Sequence, residues 1–337
     1  MGRLIDAAHG RRAAVCHRQR EVSSVHHNRS ARLVILAGVI AAILLIVAGT
    51  TLYLRPGQDP LTVSGGFGEQ PRVTFAEGER PGEDLVAETV IAGNGVVAAQ
   101  DDLAVVQFAS YAWTGTSHRQ LDSSHGQDRP AVMRIGELVP GLNKGLIGKK
   151  TGSRVVVSIP PKDGYGATGN PQEGVTGADT LIYVVDLLAT YPTTASARGR
   201  AGPADPALPQ VVSAPAGGPP TVTIPASDPP DQLRVRTLIE GAGPIIRADH
   251  MLITHYQGQV WRNGKVFDSS WSRGEVAPLS SLTGTIAGIG KGLTGQKVGS
   301  RVLLVIPPKD GYGKGAPQPG IKKDDTVVFV VDILGAY

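Results

Sequence analysis

The sequence predicts an α+β protein of two tandem domains, each a curled antiparallel β-sheet wrapped around one short α-helix, behind one N-terminal transmembrane helix. Three observations carry that expectation. The stretches RVVVSIPPKDGYG and RVLLVIPPKDGYG place Tyr165 and Tyr312 147 positions apart, too long for a solenoid period and about the size of a domain. Each copy consists of short β-branched runs broken by turns, with a single candidate helix. An uncharged apolar run, residues 33–54, precedes both copies.

Residues 1–32 form a basic tail, with seven Arg against Asp6 and Glu21. That surplus of five exceeds the net charge of +4 for the whole chain, so the remainder is close to neutral and offers no basic face to nucleic acid. The following run, LVILAGVIAAILLIVAGTTLYL, is about 33 Å long as a helix, enough to cross a hydrocarbon core of about 30 Å. Arginines before it and few basic residues after it predict a single-pass anchor in the cell membrane, N-terminus inside and both domains extracytoplasmic. A cleaved secretory signal is the alternative, with Ala48, Gly49 and Thr50 as small residues near a cut site; it would leave the same domains secreted. The one cysteine, Cys16, lies in the tail, so no disulfide or cysteine-based metal site is expected in the domains. His17, His26 and His27 share that arginine-rich tail and are not read as a metal site. Residues 55–70 read as a spacer.

The first repeat unit covers residues 71–191 and the second residues 220–337. DLVAETVIAGNGVVAAQDDLAVVQF runs parallel to QLRVRTLIEGAGPIIRADHMLITHY, and DTLIYVVDLLATY to DTVVFVVDILGAY. Between the units, residues 192–219 are rich in Pro, Ala and Gly and read as a linker. In the second unit LITHYQGQVW and KVFDSS flank Arg262, Asn263 and Gly264, a hairpin signal. RVLLVIPP and DTVVFVVDIL are β-branched runs of strand length. The helix candidates are VPGLNKGLIGKK and IAGIGKGLTGQK. Leu142, Leu146 and Ile147 in one, and Ile289, Leu293 and Thr294 in the other, form a narrow stripe suited to a curled sheet.

Several chemistries are missing from the pattern. GTIAGIGKGLTG lacks the glycine and hydroxyl spacing of a phosphate loop, and no G-x-S-x-G elbow, HEXXH or other metal-ligand spacing occurs. The domains are therefore expected to act without nucleophile, metal or cofactor. What stands out instead is a group of aromatics with one acid: Tyr256, Phe267, Asp268, Tyr312 and Phe329. Strand aromatics ordinarily fill a core, yet aromatic residues make up 5% of this chain and these four fall at landmark strand or loop positions.

Together, LITHYQGQVWRNGKVFDSSWSRG, the glycine-rich helix leading into GQKVGSRVLLVIPP, KDGYGKG and TVVFVVDIL resemble an FKBP-type peptidyl-prolyl cis–trans isomerase over residues 233–337. Residues 85–191 resemble the same family, most clearly in KDGYGATG. The resemblance implies a prolyl pocket. It assigns a pocket tyrosine to Tyr256, a paired ring and acid to Phe267 and Asp268, a loop tyrosine to Tyr312, a last-strand aromatic to Phe329 and an overhanging residue to Ile321. Ile286 stands at the helix start, where a backbone N–H meets a ligand carbonyl in the family. Ile289 replaces the tryptophan that usually floors the pocket, and Leu279 and Leu282 stand where the family tends to carry phenylalanine.

The corresponding positions of the first unit are Phe108, Leu121, Asp122, Val139, Leu142, Tyr165, Val175 and Tyr183. Lost are a hydroxyl at Phe108, a ring at Leu121 and the floor at Leu142, and Gln127 stands where Arg273 follows Asp268. This copy reads as degenerate. The implied activity is isomerisation of Xaa-Pro bonds in exported polypeptides at the extracytoplasmic membrane face, mainly by the second domain, with macrolides as inhibitors. The alternative is a tethered peptide-binding or chaperone module that keeps the fold without the rate.

Overall fold

The computed structural model describes residues 61–337 except 80, 115–116 and 314–318. The basic tail, the run 33–54 expected to span a membrane and residues 55–60 of the spacer lie outside the described residues. Among those described, no helix is long and apolar enough to cross a membrane.

The first domain opens with a hairpin of β1 (Leu61–Ser64) and β2 (Arg72–Phe75). It continues through β3 (Val86–Ile91), β4 (Leu103–Trp113), β5 (His118–Ser123), β6 (Ala131–Arg134), α1 (Pro140–Leu146), β7 (Arg154–Ile159) and β8 (Thr180–Tyr191). Its antiparallel sheet has the order β3-β7-β8-β4-β5, with β6 also on β4. After β9 (Arg200–Ala201), a second hairpin of β10 (Gln210–Val212) and β11 (Thr221–Thr223) opens the second domain. There follow β12 (Arg234–Glu240), β13 (Leu252–Val260), β14 (Val266–Ser269), β15 (Ala277–Leu279), α2 (Ala287–Leu293), β16 (Arg301–Ile306) and β17 (Val327–Ala336). The order is β14-β13-β17-β16-β12-β9, with β15 on β13. The predicted turn at Arg262, Asn263 and Gly264 joins β13 to β14, and Gly264 takes a φ of +66° that glycine tolerates best.

The central strands of each sheet are buried on both sides. Val302, Leu304 and Ile306 of β16 and Val327, Phe329 and Val331 of β17 belong to the cluster under α2. Their alternates Leu303, Val305, Val328 and Val330 pack under Leu208, Trp261 and the valines Val211 and Val222 of the second hairpin. In the first domain Leu61 and Val63 cover Val156, Ile182 and Val184 in the same way. Residues 61–70, read as spacer, and much of 192–219, read as linker, are therefore folded parts of the domains. Their composition looks loose because a one-sided hairpin buries few apolar residues.

Beneath each hairpin lies an ion pair. Arg154 holds Asp186 with bonds of 2.6 and 2.7 Å, and Arg301 holds Asp332 at 2.6 and 2.7 Å. The hairpins satisfy what the pairs leave over. Arg154 donates to the carbonyls of Gly65 and Glu69, the Gly68 N–H reaches Asp186, and Arg301 donates to the Ser213 hydroxyl. Such completion is what lets a desolvated ion pair persist.

Both helices are glycine-rich because they lie directly on the sheet. A Cβ at Gly141 would stand 2.5 Å from Ile159 and one at Gly145 2.7 Å from Val157; at Gly288 and Gly292 it would stand 2.4 Å from Ile306 and from Leu304. Only glycine permits that approach, at about 1 kcal/mol of helix propensity per residue. Leu146 and Leu293 are fully buried as expected of the stripe. Ile147 and Thr294 are not: each caps its helix with extended backbone and is exposed.

The two domains belong to one compact unit. Leu103 and Val105 of the first and Met251 and Ile253, their counterparts in the second, join Val276 in one buried apolar cluster. Leu188, Leu334, Tyr191 and Tyr337 pack against it, and the two tyrosine hydroxyls are 2.6 Å apart.

Candidate active site

The site grows from strand register. Gly258 on β13 lies opposite Phe329 on β17 and, on its other side, opposite Asp268 on β14. Alternation puts Tyr256 on the same concave face as Gly258. A bulge after Gly258 shifts the register of β14, and the Phe267 ring also comes to this side, against Gly258 and Phe329. Tyr256, Asp268, Ile286, Ile289, Tyr312 and Phe329 line one cleft of about 440 Å³, joined by Arg273, Thr285 and the β15 residues Ala277, Pro278 and Leu279. Phe267 and Ile321 stand behind that lining. Phe267 meets Phe329 edge-on at 5.6 Å and Tyr312 at 6.3 Å, and Ile321 is buried in the same cluster. Leu282 is buried in the core rather than offered to the cleft.

Three polar side chains form a closed triangle on one wall. The Tyr256 hydroxyl donates to Asp268 Oδ2 at 2.7 Å and accepts from Arg273 Nη2 at 2.9 Å. Arg273 Nη1 bonds Asp268 Oδ1, and its guanidinium lies 5.6 Å from the Tyr256 ring centre. Burial, and then the bond to Asp268, push the Tyr256 phenol above its ordinary range, so its proton stays. Burial also raises Tyr312. Burial alone would lower Arg273, but bonds to Glu275, Tyr256 and Asp268 outweigh it and keep the guanidinium charged.

Donors are thereby divided. The single proton of Tyr256 is committed to Asp268. The hydroxyl of Tyr312 and the backbone N–H of Ile286 donate to no protein group among the described residues. These two can serve a carbonyl placed in the cleft.

The first domain brings its counterparts together but engages the hydroxyl of its loop tyrosine within the protein. Phe108, Leu142 and Val175 are buried, with Leu121, Val139, Tyr165 and Tyr183 against them. Phe108 stacks near Tyr183 at 6.4 Å. The Tyr165 hydroxyl donates to Glu173 at 3.1 Å, where the second unit carries Pro319. Asp122 is exposed and takes the neighbouring Ser123 N–H at 2.7 Å, with no guanidinium on it among the described residues, while Gln127 turns to the Ser123 carbonyl.

Of the β15 wall the sequence indicates Leu279 alone, and no strand. Pro278 argues against a strand there, and β15 exists because it is an edge piece pairing with Leu252, Ile253 and Thr254. Thr254, two residues before Tyr256, also lines the cleft, and period-two alternation was the signal for it. Among the described residues no group of three or more His, Cys, Asp or Glu could hold a metal ion.

The chain matches the model of a family described as FKBP-type peptidyl-prolyl cis-trans isomerase twice, over residues 96–188 and 243–334. It is similar to an FK506-binding protein of Streptomyces anulatus, 37% identical over 119 residues that cover 34% of this chain and 94% of that one. A probable FK506-binding protein of Corynebacterium glutamicum is 37% identical over 120 residues, 35% of this chain and 98% of its own. The FKBP-type isomerase FkpA of Escherichia coli is 42% identical over 95 residues, 28% of this chain and 34% of its own. The FkpA crystal structure covers 31% of this chain and 47% of its own, with 34% identity and a TM-score of 0.29.

Proposed function

This chain belongs to the FKBP-type peptidyl-prolyl cis-trans isomerase family, and on that premise we propose that its isomerase activity resides mainly in the second domain and serves Xaa-Pro bonds of exported polypeptides. The observation that carries this reading is the division of donors: a closed Tyr256–Asp268–Arg273 triangle beside a cleft lined by Tyr312 and Ile286, whose hydroxyl and backbone N–H donate to no group among the described residues.

Amide resonance sets a barrier of about 18–20 kcal/mol to rotation about a prolyl bond, although the tertiary amide narrows the free-energy gap between trans and cis. An apolar, water-poor cleft disfavours the planar, charge-separated amide relative to the twisted one. Phe329 and Ile289 would hold the proline ring, backed by Phe267. The Tyr312 hydroxyl and the Ile286 N–H would donate to substrate carbonyls, and the triangle would keep the Tyr256 wall in place.

The test is a protease-coupled isomerisation assay on the full chain. Asp268→Asn should lower kcat/KM about tenfold, the size of one charge-assisted hydrogen bond, and Asp122→Asn should leave it unchanged. An equal loss from Asp122→Asn would overturn the assignment to the second domain. The export part of the proposal rests on the arginine-flanked apolar run 33–54; external protease on intact cells should remove both domains, and their protection would refute it. Ile289 in place of an indole favours a second reading, a peptide-binding or chaperone module. Tight binding of proline peptides with no rate above the uncatalysed one would select it.

A further inference from the structure

The wall of the second-domain cleft is built on the interface between the domains. Segment 275–280 has Ala277, Pro278 and Leu279 in the cleft lining, while Val276 is fully buried in the apolar cluster shared with the first domain. Two arginines of the first domain hold its ends. Arg134, at the end of β6, donates to the Val276 carbonyl at 3.1 Å and lies 3.4 Å from Glu275 Oε2. Arg129 bonds the Ser280 carbonyl.

Glu275 then carries the contact inward. Its Oε1 accepts from Arg273 Nε at 2.6 Å, while Arg273 Nη1 bonds Asp268 and Nη2 donates to the Tyr256 hydroxyl. The side chain of Arg134 is 17% exposed, against 37% for Glu275, so the link is less screened than a surface pair. Arg134 also has Glu137 of its own domain at 3.5 Å. Without Arg134, Glu275 would be a solvated carboxylate on a turn, and Arg273 would lose the fixed partner that sets its angle over the Tyr256 ring.

We propose that Arg134, in the domain whose own pocket is degenerate, is a positioning residue for the second-domain site, acting through Glu275 on Arg273. The proposal rests on reading that cleft as the isomerase site. It gives the first domain a part in catalysis that needs no working pocket of its own.

The test uses the full chain, a Leu-Pro tetrapeptide anilide as substrate and a temperature well below the melting transition. Arg134→Gln and Glu275→Gln should each lower kcat/KM by about three- to tenfold, the range for members of one hydrogen-bonded network. Arg134→Gln in the Glu275→Gln background should cost nothing further. Arg134→Lys, which keeps a charge on Glu275, should retain most of the rate; a residue needed only for folding would show neither the non-additivity nor the rescue. Should Arg134→Gln fail to fold, Arg134→Met takes its place in the same pair of backgrounds, wild type and Glu275→Gln, and the same non-additivity decides. Wild-type rates in the variants, or losses that simply multiply, would overturn the proposal. Asp268→Asn in the same assay separates the two failures: if it too leaves the rate unchanged, the reading of the cleft has fallen, whereas a slow Asp268→Asn beside a normal Arg134→Gln removes the positioning role alone.

Discussion

Gly258→Ala adds one methyl group at the point where three parts of the site meet. A Cβ there would stand 2.6 and 2.8 Å from Cζ and Cε2 of Phe267 and 2.9 Å from Cε1 of Phe329, where carbon contacts settle at about 3.5–4.0 Å. Both rings must retreat by about 1 Å or the bulge in β14 must open. Overpacking of this kind costs about 1–3 kcal/mol of stability. A displacement of about 1 Å at reacting groups can cost up to about a hundredfold in rate, and we expect at least a tenfold loss in kcat/KM. The first domain shows how the clash is avoided: Ser110 stands opposite Asp122 as Gly258 stands opposite Asp268, and Leu121 replaces the ring of Phe267. Gly258→Ser combined with Phe267→Leu should therefore recover stability without recovering rate. The measurements are thermal unfolding and the protease-coupled assay on the full chain. A Gly258→Ala variant that melts and turns over like the wild type would show that the rings are not packed on this backbone.

Three further outcomes are expected. His255 is buried, with Nδ1 on the Ser270 hydroxyl at 2.8 Å, Nε2 on the Thr193 carbonyl at 3.0 Å and its ring stacked on Trp271, and burial is the chief cause that lowers its pKa. The unfolded chain, with its imidazole near pKa 6.5, then binds more protons than the folded one, so this contribution is complete above about pH 6.5 and is lost as pH falls below it. His255→Gln, the residue type of Gln107 in the first unit, should flatten the fall in melting temperature between pH 7 and pH 5; superimposable slopes would refute the attribution. Asp332→Asn leaves the Arg301 guanidinium without its buried counter-charge and should cost about 3–5 kcal/mol in urea unfolding, and a cost under about 1 kcal/mol would show that the pair is not desolvated. Ile289→Trp should tighten calorimetric binding of a proline-mimetic ligand several-fold, from a few tens of Å² of added contact at about 25 cal/mol per Å². Unchanged affinity in a normally folded variant would mean that the proline ring does not rest on residue 289.

The repeat, the hairpin at Gly264 and the convergence of Tyr256, Asp268, Tyr312 and Phe329 were legible because each depends on local pattern. Strand alternation and one short turn fix where those side chains point. The hairpin covers and the domain interface were not read, yet their signal is present. VLLVI (302–306) and VVFVV (327–331) are apolar at every position, whereas a sheet with one wet face alternates. An unbroken run in a two-faced strand demands a second cover, and the helix under the concave face supplies only one. The candidates for the other cover straddle the unit boundaries: LTVSGGFGEQPRVTF runs from the spacer into the first unit and QVVSAPAGGPPTVTI from the linker into the second. The same reasoning applies to Leu103, Val105, Met251 and Ile253, which are apolar in both copies and buried against one another. A patch that is apolar on both repeats must be covered wherever the copies are parted. The first domain therefore has a physical reason to persist beside the second that does not depend on Phe108, Leu121 or Tyr165 in its own pocket.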